Sequence, residues 1–349
     1  MIFAKTLQHW YLQNKRDLPW RNSVNPYHIW LSEIILQQTR VVQGLPYYLA
    51  FVETFPTVFD LANASEQQVL KLWQGLGYYS RARNLHKTAQ TVAVEMNGVF
   101  PDNYNDLLKL KGIGDYTAAA IASFAYNEKV PVVDGNVFRV LARYIGIENN
   151  IADQKSRKIF KETALELMSS LSANVFNQAI MEFGALQCVP KNPDCTKCVF
   201  NKNCFALQQK RVSVLPLKSK KAKPIDRFLN YLIFIDDNQK TIISKREGKG
   251  IWENLYEFPL IEIENSIDDK LFQNRFENQC FVSNEIVSVD KFEASSTIHK
   301  LTHQNLYIDF WKIEVKNVLK NGISFSELRQ YPFPIAIGRF IEKYFLYKN

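Results

Sequence analysis

Two carboxylates, one glycine-bounded turn and a cluster of thiols are the groups through which this chain could do chemistry. Glu33 lies in an apolar stretch with Trp30, Leu31, Ile34 and Ile35. A carboxyl on such a face is costly unless it is paired or held protonated. It is therefore either a salt-bridged structural residue or a proton donor. Asp134 closes the run Val130-Pro131-Val132-Val133 and precedes Gly135-Asn136-Val137. It follows by twenty residues the segment Lys111-Gly112-Ile113-Gly114, after which a helix opens at Asp115. Glycines there permit unusual backbone angles and close approach. A helix N-terminus offers unpaired N–H groups and positive dipole to an anion, and Lys111 adds a cation. The segment reads as a helix-hairpin-helix seat for a nucleic-acid phosphate, with Gly112, Gly114 and Lys111 as its parts. An ordinary corner between two helices would use the same glycines. Asp134 would bring an acid beside that seat.

Four of the five cysteines, Cys188, Cys195, Cys198 and Cys204, fall within seventeen residues, separated by six, two and five others. In a reducing compartment such a cluster holds metal. Zinc ribbons pair two Cys-x-x-Cys knuckles, and only one is present. Four thiolates in one loop suit a [4Fe-4S] cluster, one per iron corner, in a structural role, with zinc as the lesser alternative. Cys280 stands apart and reads as a buried apolar residue.

The elements that position these groups are helical up to about residue 205. Phe3, Leu7, Trp10 and Tyr11 repeat at helical spacing, Pro19 interrupts, and Asn25-Pro26 predicts a capped helix start running to Gln37. Trp73 to Arg83 combines loop glycines, adjacent tyrosines and Arg81 and Arg83, a mix suited to unstacking a duplex or to a plain helix boundary. Further helices are expected at about 84–96, 103–110, 115–126, 135–146, 155–170 and 173–187. Seven basic residues against the single Asp226 between Lys210 and Arg227 predict an extended linker, or a solvated charge run. Beyond it, Phe228–Ile235 and Thr241–Ser244 predict a hairpin about Asp236-Asp237-Asn238-Gln239. Leu306–Ile313 reads as a strand and Ile335–Leu346 as a terminal helix.

The 349 residues suffice for two cores, and 46% hydrophobic with 22% charged residues is a globular balance. A net charge of +8 and a pI near 9.0 favour a polyanionic partner. The first residues lead into an amphipathic stretch rather than a signal sequence, so a cytoplasmic chain is expected. No run reaches the roughly 18 apolar residues of a membrane helix.

Taken together these segments resemble the endonuclease III superfamily of helix-hairpin-helix DNA glycosylases, and within it the adenine-excising branch. The matches are Leu18-Pro19-Trp20-Arg21, Ser32-Glu33, Leu36-Gln37-Gln38-Thr39-Arg40, Gly75-Leu76-Gly77-Tyr78-Tyr79, Gly112 to Thr117, Val133 to Val137 and Glu182-Phe183-Gly184-Ala185. The resemblance implies a multidomain chain. An all-α helix-hairpin-helix glycosylase domain with the iron–sulfur loop spans 1–207, a basic linker 208–226, and an α+β Nudix-like recognition domain 227–349. Strand-cutting relatives carry a lysine two residues after the second hairpin glycine. Tyr116 stands there, which cannot form a Schiff base, so base removal without an efficient lyase step is implied.

By the same resemblance Glu33 protonates the adenine, Asp134 steadies the cationic sugar, and Tyr116 and Asn136 line the pocket. Glu182 meets the adenine edge, Gln38 and Tyr78 wedge into the duplex, and Arg16, Trp20, Arg21 and Arg81 join the DNA-contacting set. Gly250-Ile251-Trp252 and Glu257-Phe258-Pro259 match the recognition domain locally, without the Arg-Glu-x-x-Glu-Glu cluster of Nudix hydrolases. Where relatives inspect 8-oxoguanine with Phe-Ser-His, this chain has Leu301, Thr302 and His303. The implied substrate is double-stranded DNA with A opposite 8-oxoguanine or G, bound by a monomer away from membranes. The rival readings are a thymine or uracil mismatch glycosylase, disfavoured by Glu33, and a non-catalytic DNA-binding protein, which would need neither acid.

Overall fold

The computed structural model describes residues 2–168, 171–219, 223–264 and 282–346. Cys280, Lys220 and Lys221 lie outside them. Contacts divide the chain into two compact units, residues 1–63 with 84–220, and residues 64–83 with 221–349. The second grouping joins a helical segment to residues more than a hundred positions away, which no division drawn along the chain anticipates.

Helices in chain order are α1 (Ile2–Asn14), α2 (Pro26–Leu36), α3 (Val41–Thr54), α4 (Val58–Asn63), α5 (Glu66–Leu72) and α6 (Ser80–Glu95). They continue with α7 (Tyr104–Leu107), α8 (Asp115–Tyr126), α9 (Gly135–Ile145), α10 (Gln154–Met168), α11 (Ala173–Leu186), α12 (Phe205–Gln208) and α13 (Ile335–Ile341). The Asn25 side chain accepts from Tyr27 N and Pro26 occupies the first turn, so α2 starts where the sequence placed it. The helix expected at 103–110 is shorter: α7 ends at Leu107 and the chain turns through Gly112 at φ +78°. A Cβ at Gly112 would also lie 2.6 Å from that of Asn84, so a side chain is excluded twice over.

In the first unit, α9 is strongly amphipathic. Asp134 caps its start, and Gly146 ends it. Its buried Val137, Val140, Leu141 and Ala142 meet Phe3, Leu7 and Trp10 of α1, Phe160 of α10 and Phe176, Ile180 and Phe183 of α11 in one core. Helices α9 and α11 approach closely at Gly184, where a Cβ would stand 2.9 Å from the carbonyl oxygen of Asn136.

The second unit contains a mixed sheet. β1 (Ile225–Ile235) runs parallel to β8 (Gln304–Val315) over eleven residue pairs, and antiparallel to β5 (Leu260–Ile263). On the far side of β8 lie β6 (Ile286–Lys291) and β7 (Thr297–Lys300). The last seven residues of β1 are all buried, as a strand covered on both faces requires. The chain reverses at Asp236-Asp237-Asn238-Gln239 as expected, with Asp236 N donating to the Lys240 carbonyl at 3.1 Å, but no ladder between β1 and the next strand follows. β2 (Lys240–Thr241) pairs with β9 (Ile323–Ser324), not with β1, and β3 (Ser244–Lys245) pairs with β4 (Tyr256–Glu257). Asp236 explains the difference: its Oδ1 accepts from Asn238 N and Lys240 N and its Oδ2 from Leu319 N, tying the reversal to the segment before β9. The terminal helix keeps its predicted start, but α13 ends at Ile341 and passes into a π turn over Glu342–Leu346. Phe340 of α13 stacks on Phe310 of β8 at 3.8 Å.

Candidate active site

Within the first unit, a cavity of about 590 Å³ brings together Arg16, Trp20, Arg21, Glu33, Tyr116, Asp134, Asn136 and Glu182. These eight residues come from α2, α8, α11, the Pro19–Arg21 turn, the chain before it and the N-terminus of α9. Most of them lie on helices or at helix ends, so the packing of α2, α8, α9 and α11 positions the site.

Glu33 is 7% exposed. Tyr116 donates its hydroxyl to Glu33 Oε2 at 2.6 Å. Burial pushes the Glu33 carboxyl up to about 7, the negative charge of Asp134 pushes the same way, and the Tyr116 bond and Arg21 oppose. Burial also drives the Tyr116 phenol well above its usual value, so it stays a donor. Asp134 Oδ1 accepts from the backbone N–H groups of Asn136 and Val137 at 2.8 Å each, and Oδ2 from Asn136 Nδ2 at 2.7 Å. Burial raises the Asp134 carboxyl, against those three bonds and Arg139, which favour the charged form. The two acids thus occupy contrasting settings. Asp134 is met by three N–H donors, while Glu33 receives one phenol and apolar walls.

Glu182 is fully enclosed. Arg16 reaches it through N, Nε and Nη2, and Arg21 through Nη2, at 2.6–3.0 Å. These bonds hold the Glu182 carboxyl down at about 2 against the effect of burial.

Sequence reasoning missed Arg139 and Arg143. Arg139 donates to Asn136 Oδ1 and to the carbonyls of Gly135, Gly184 and Cys188, linking the Asp134 cap to the cysteine loop. Arg143 bonds the carbonyls of Val189, Pro190 and Leu215 and lies 3.5 Å from Cys188 Sγ. Two arginines at i and i+4 on the buried stripe of α9 were the available signal: charge on an apolar face demands partners.

Cys188, Cys195, Cys198 and Cys204 line one cavity with Arg143, and none forms a disulfide. Around the hairpin, Gly114 caps α8 at φ −89° with nothing within 4 Å of where its Cβ would stand. Its role is open approach rather than an unusual backbone angle. Lys111 is exposed beside it. Gln38 is exposed at φ +56°, a left-handed setting unusual for a non-glycine residue and one that clusters at functional sites.

The second unit holds the other expected residues. Tyr78 is 49% exposed at φ +47°, and its hydroxyl lies 2.6 Å from Thr302 Oγ1. Leu301, Thr302 and His303 form the turn between β7 and β8. Arg81 does not reach outward as a phosphate contact. Its guanidinium turns onto its own loop, 5.0 Å from the Trp73 ring and 5.7 Å from the Tyr78 ring, and bonds the Gly77 carbonyl at 3.2 Å. Stacking on two rings and burial, which lowers its pKa to about 10, make it a brace for the Tyr78 loop.

A family model described as HhH-GPD superfamily base excision DNA repair protein matches residues 31–165, and one described as a NUDIX domain matches 230–343. The chain is 35% identical over 310 residues to the adenine DNA glycosylase of Buchnera aphidicola subsp. Baizongia pistaciae, across 88% of this chain and 85% of that one. It is 42% identical over 219 residues to the adenine DNA glycosylase of Homo sapiens, across 59% of this chain and 40% of that protein. A solved thermostable thymine-DNA glycosylase is similar at a TM-score of 0.54 and 29% identity, over 60% of this chain and 96% of that one. Endonuclease III trapped covalently on DNA shares the fold at a TM-score of 0.52 and 18% identity, over 60% and 95%. Two acids lining one cavity and a relationship spanning most of both chains converge: this chain belongs to the adenine DNA glycosylase family, within the helix-hairpin-helix superfamily of base excision repair proteins.

Proposed function

We propose that this protein acts as a monomer on double-stranded DNA and hydrolyses the N-glycosidic bond of adenine opposite 8-oxoguanine or guanine. The observation that carries the reading is Glu33, a buried carboxyl poised near 7 in one cavity with Asp134. Cleavage must turn adenine into a competent leaving group and leaves an oxocarbenium-like sugar. Glu33, protonated, donates to the purine N7. Asp134, ionised, sits where positive charge develops, the division of labour seen in glycoside hydrolases. Tyr116 orients Glu33, and Asn136 orients Asp134. Water completes the displacement. The adenine reaches the cavity by leaving the stack, at a cost of a few kcal/mol offset by Gln38 and Tyr78 entering the duplex. Thr302, tied to Tyr78, supplies a hydroxyl able to accept from the N7–H that distinguishes 8-oxoguanine from guanine. His303, in the same turn, completes the lesion-facing set.

The test is base release from duplexes carrying A opposite 8-oxoguanine, A opposite G, and T or U opposite G. Adenine should be released from the first fastest, and from the second more slowly. Release of thymine or uracil without adenine would establish the rival mismatch specificity instead, and no release from any duplex would leave a DNA-binding protein.

We further propose that the four cysteines hold a [4Fe-4S] cluster. Among the described residues no group of three or more His, Cys, Asp or Glu stands close enough to hold a single metal ion. A zinc site would need its sulfurs about 3.8 Å apart, given a Zn–S bond of about 2.3 Å. Four thiols lining one cavity, with a single Cys-x-x-Cys knuckle among them, suit a group that takes one thiolate at each of four iron corners. Burial and their neighbours raise the Cys195, Cys198 and Cys204 thiols, Cys198 to about 11, so binding must displace protons. The cluster would supply structural bracing, which Arg139 and Arg143 pass to α9. Protein purified without oxygen should be brown with about four irons per chain. One zinc per chain and no visible absorbance would overturn this assignment.

A further inference from the structure

We infer that Gln37 is a positioning residue for extrusion of the base: tied to Thr117 in the first turn of α8, it holds the strained turn that presents Gln38 to the duplex. That turn runs from Leu36 to Thr39 at the end of α2. Thr39 N donates to the Leu36 carbonyl at 3.1 Å, Gln37 has φ −55° and ψ 118°, and Gln38 has φ +56°. These angles follow a type II turn, whose third residue is ordinarily glycine or asparagine. Glutamine there is strained by its own Cβ, and the conformation persists only where the surroundings impose it. Gln38 is exposed, whereas Leu36, Gln37 and Thr39 around it are partly buried, so the turn holds out a single residue.

Two side-chain bonds support that shape. Gln37 Nε2 donates to Thr117 Oγ1 at 3.1 Å, and Thr39 Oγ1 donates to the Gln37 carbonyl at 3.3 Å. The second is local and would move with the turn. The first is an anchor, because Thr117 is 1% exposed on a packed helix. Glu33 and Gln37 lie four residues apart, one helical turn, and their partners Tyr116 and Thr117 are successive on α8. The ends of α2 and α8 are thus clamped twice. One clamp serves the proton donor, and the other the residue that enters the stack as adenine leaves it.

The inference rests on the reading of Gln38 as a residue that enters the duplex, and the experiment separates the two. Extrusion is read by 2-aminopurine beside the target adenine, which brightens when its neighbour leaves the stack. The target sugar carries a 2′-fluorine, which disfavours the cationic sugar and keeps the bond intact. Single-turnover release is measured in parallel, from about pH 5.5 to 8.5, on the unfluorinated duplex with A opposite 8-oxoguanine. Gln37→Met should lower brightening and rate together by roughly 2–10-fold, the effect of one hydrogen bond. Thr117→Val should match it, and Thr117→Ser, which keeps the hydroxyl, should stay near wild type. The fall in rate above pH about 7, which belongs to Glu33, should not move. Added to Gln38→Ala, Gln37→Met should lose nothing further, because the turn then presents no long side chain. A shifted pH limb, a rate loss without loss of brightening, or losses that multiply in the double variant overturn the inference. So does a Gln37→Met that behaves as wild type while Gln38→Ala is impaired. If Gln37→Met does not fold, Thr117→Val decides by the same readings. If Gln38→Ala brightens as wild type does, the reading of Gln38 and this inference fall together.

Discussion

Glu33→Gln is expected to lower single-turnover adenine release by about 10²–10⁴-fold, the range typical of a lost general acid, while making the folded protein more stable above neutral pH. Glutamine keeps the volume and can still accept from the Tyr116 hydroxyl, so duplex binding should change little. The stability effect follows from the proton. Glu33 is raised from 4.5 to about 7 in the fold, chiefly by burial. Between those values the native state holds a proton that the unfolded chain has released, so stability falls as pH rises. The penalty is absent below about 4.5 and complete above about 7, reaching about 3 kcal/mol at about 1.4 kcal/mol per unit. Glutamine never ionises and escapes it. Thermal melts of the two proteins should coincide near pH 4.5 and separate at pH 8, with the variant melting higher. A rate loss under threefold removes Glu33 from the chemistry. Melts that differ equally at both pH values show that its carboxyl is not perturbed.

The two acids act as a pair. An ionised Asp134 raises Glu33, and the one-proton form, Glu33 protonated and Asp134 charged, is what the proposed step needs. Because the groups interact, the pH profile reports the pair, and the proton is assigned to Glu33 by environment. Three N–H donors converge on Asp134, while Glu33 receives a phenol that suits either form less decisively.

What could be read in the sequence was local. Asn25-Pro26 marked the start of α2 and so placed Glu33 on its apolar stripe. Asp134-Gly135 marked the start of α9, and four close cysteines marked one loop. Partnerships across distance could not be read this way. Arg16 and Glu182 are separated by 166 positions, and nothing in the spacing of either announces the other. The parallel pairing of β1 with β8 joins strands about eighty residues apart, which no local turn signal announces. Arg81 shows the same limit from the other side. An arginine beside two tyrosines in a glycine-rich loop fits a phosphate contact, and whether it points outward depends on Trp73 being in place to receive it. The grouping of residues 64–83 with 221–349 is likewise a property of packing, carried by contacts such as Arg83 with Glu253 and Lys71 with the Tyr331 carbonyl.

Asp134→Asn is expected to reduce adenine release by about 10²–10³-fold, the size of loss found when one group stabilising transition-state charge is removed. Asparagine and aspartate cap helices about equally well. The amide oxygen can retain the bonds from Asn136 N and Val137 N that fix the start of α9. The new NH₂ would face Asn136 Nδ2, donor against donor, and Asn136 cannot simply turn over because its oxygen accepts from Arg139. That conflict costs some stability, but less than Asp134→Ala, which loses the cap itself at about 1 kcal/mol. The charge is the larger difference. As the sugar becomes cationic, aspartate offers a full negative charge in a buried site where water screens little, and asparagine offers only a dipole. The two variants therefore separate the roles of one residue. Both should lose activity to a similar degree, whereas only Asp134→Ala should lower the melting temperature substantially. If Asp134→Asn keeps its rate within threefold of wild type, the residue is a helix cap that happens to line the cavity, and the stabilising charge must come from elsewhere.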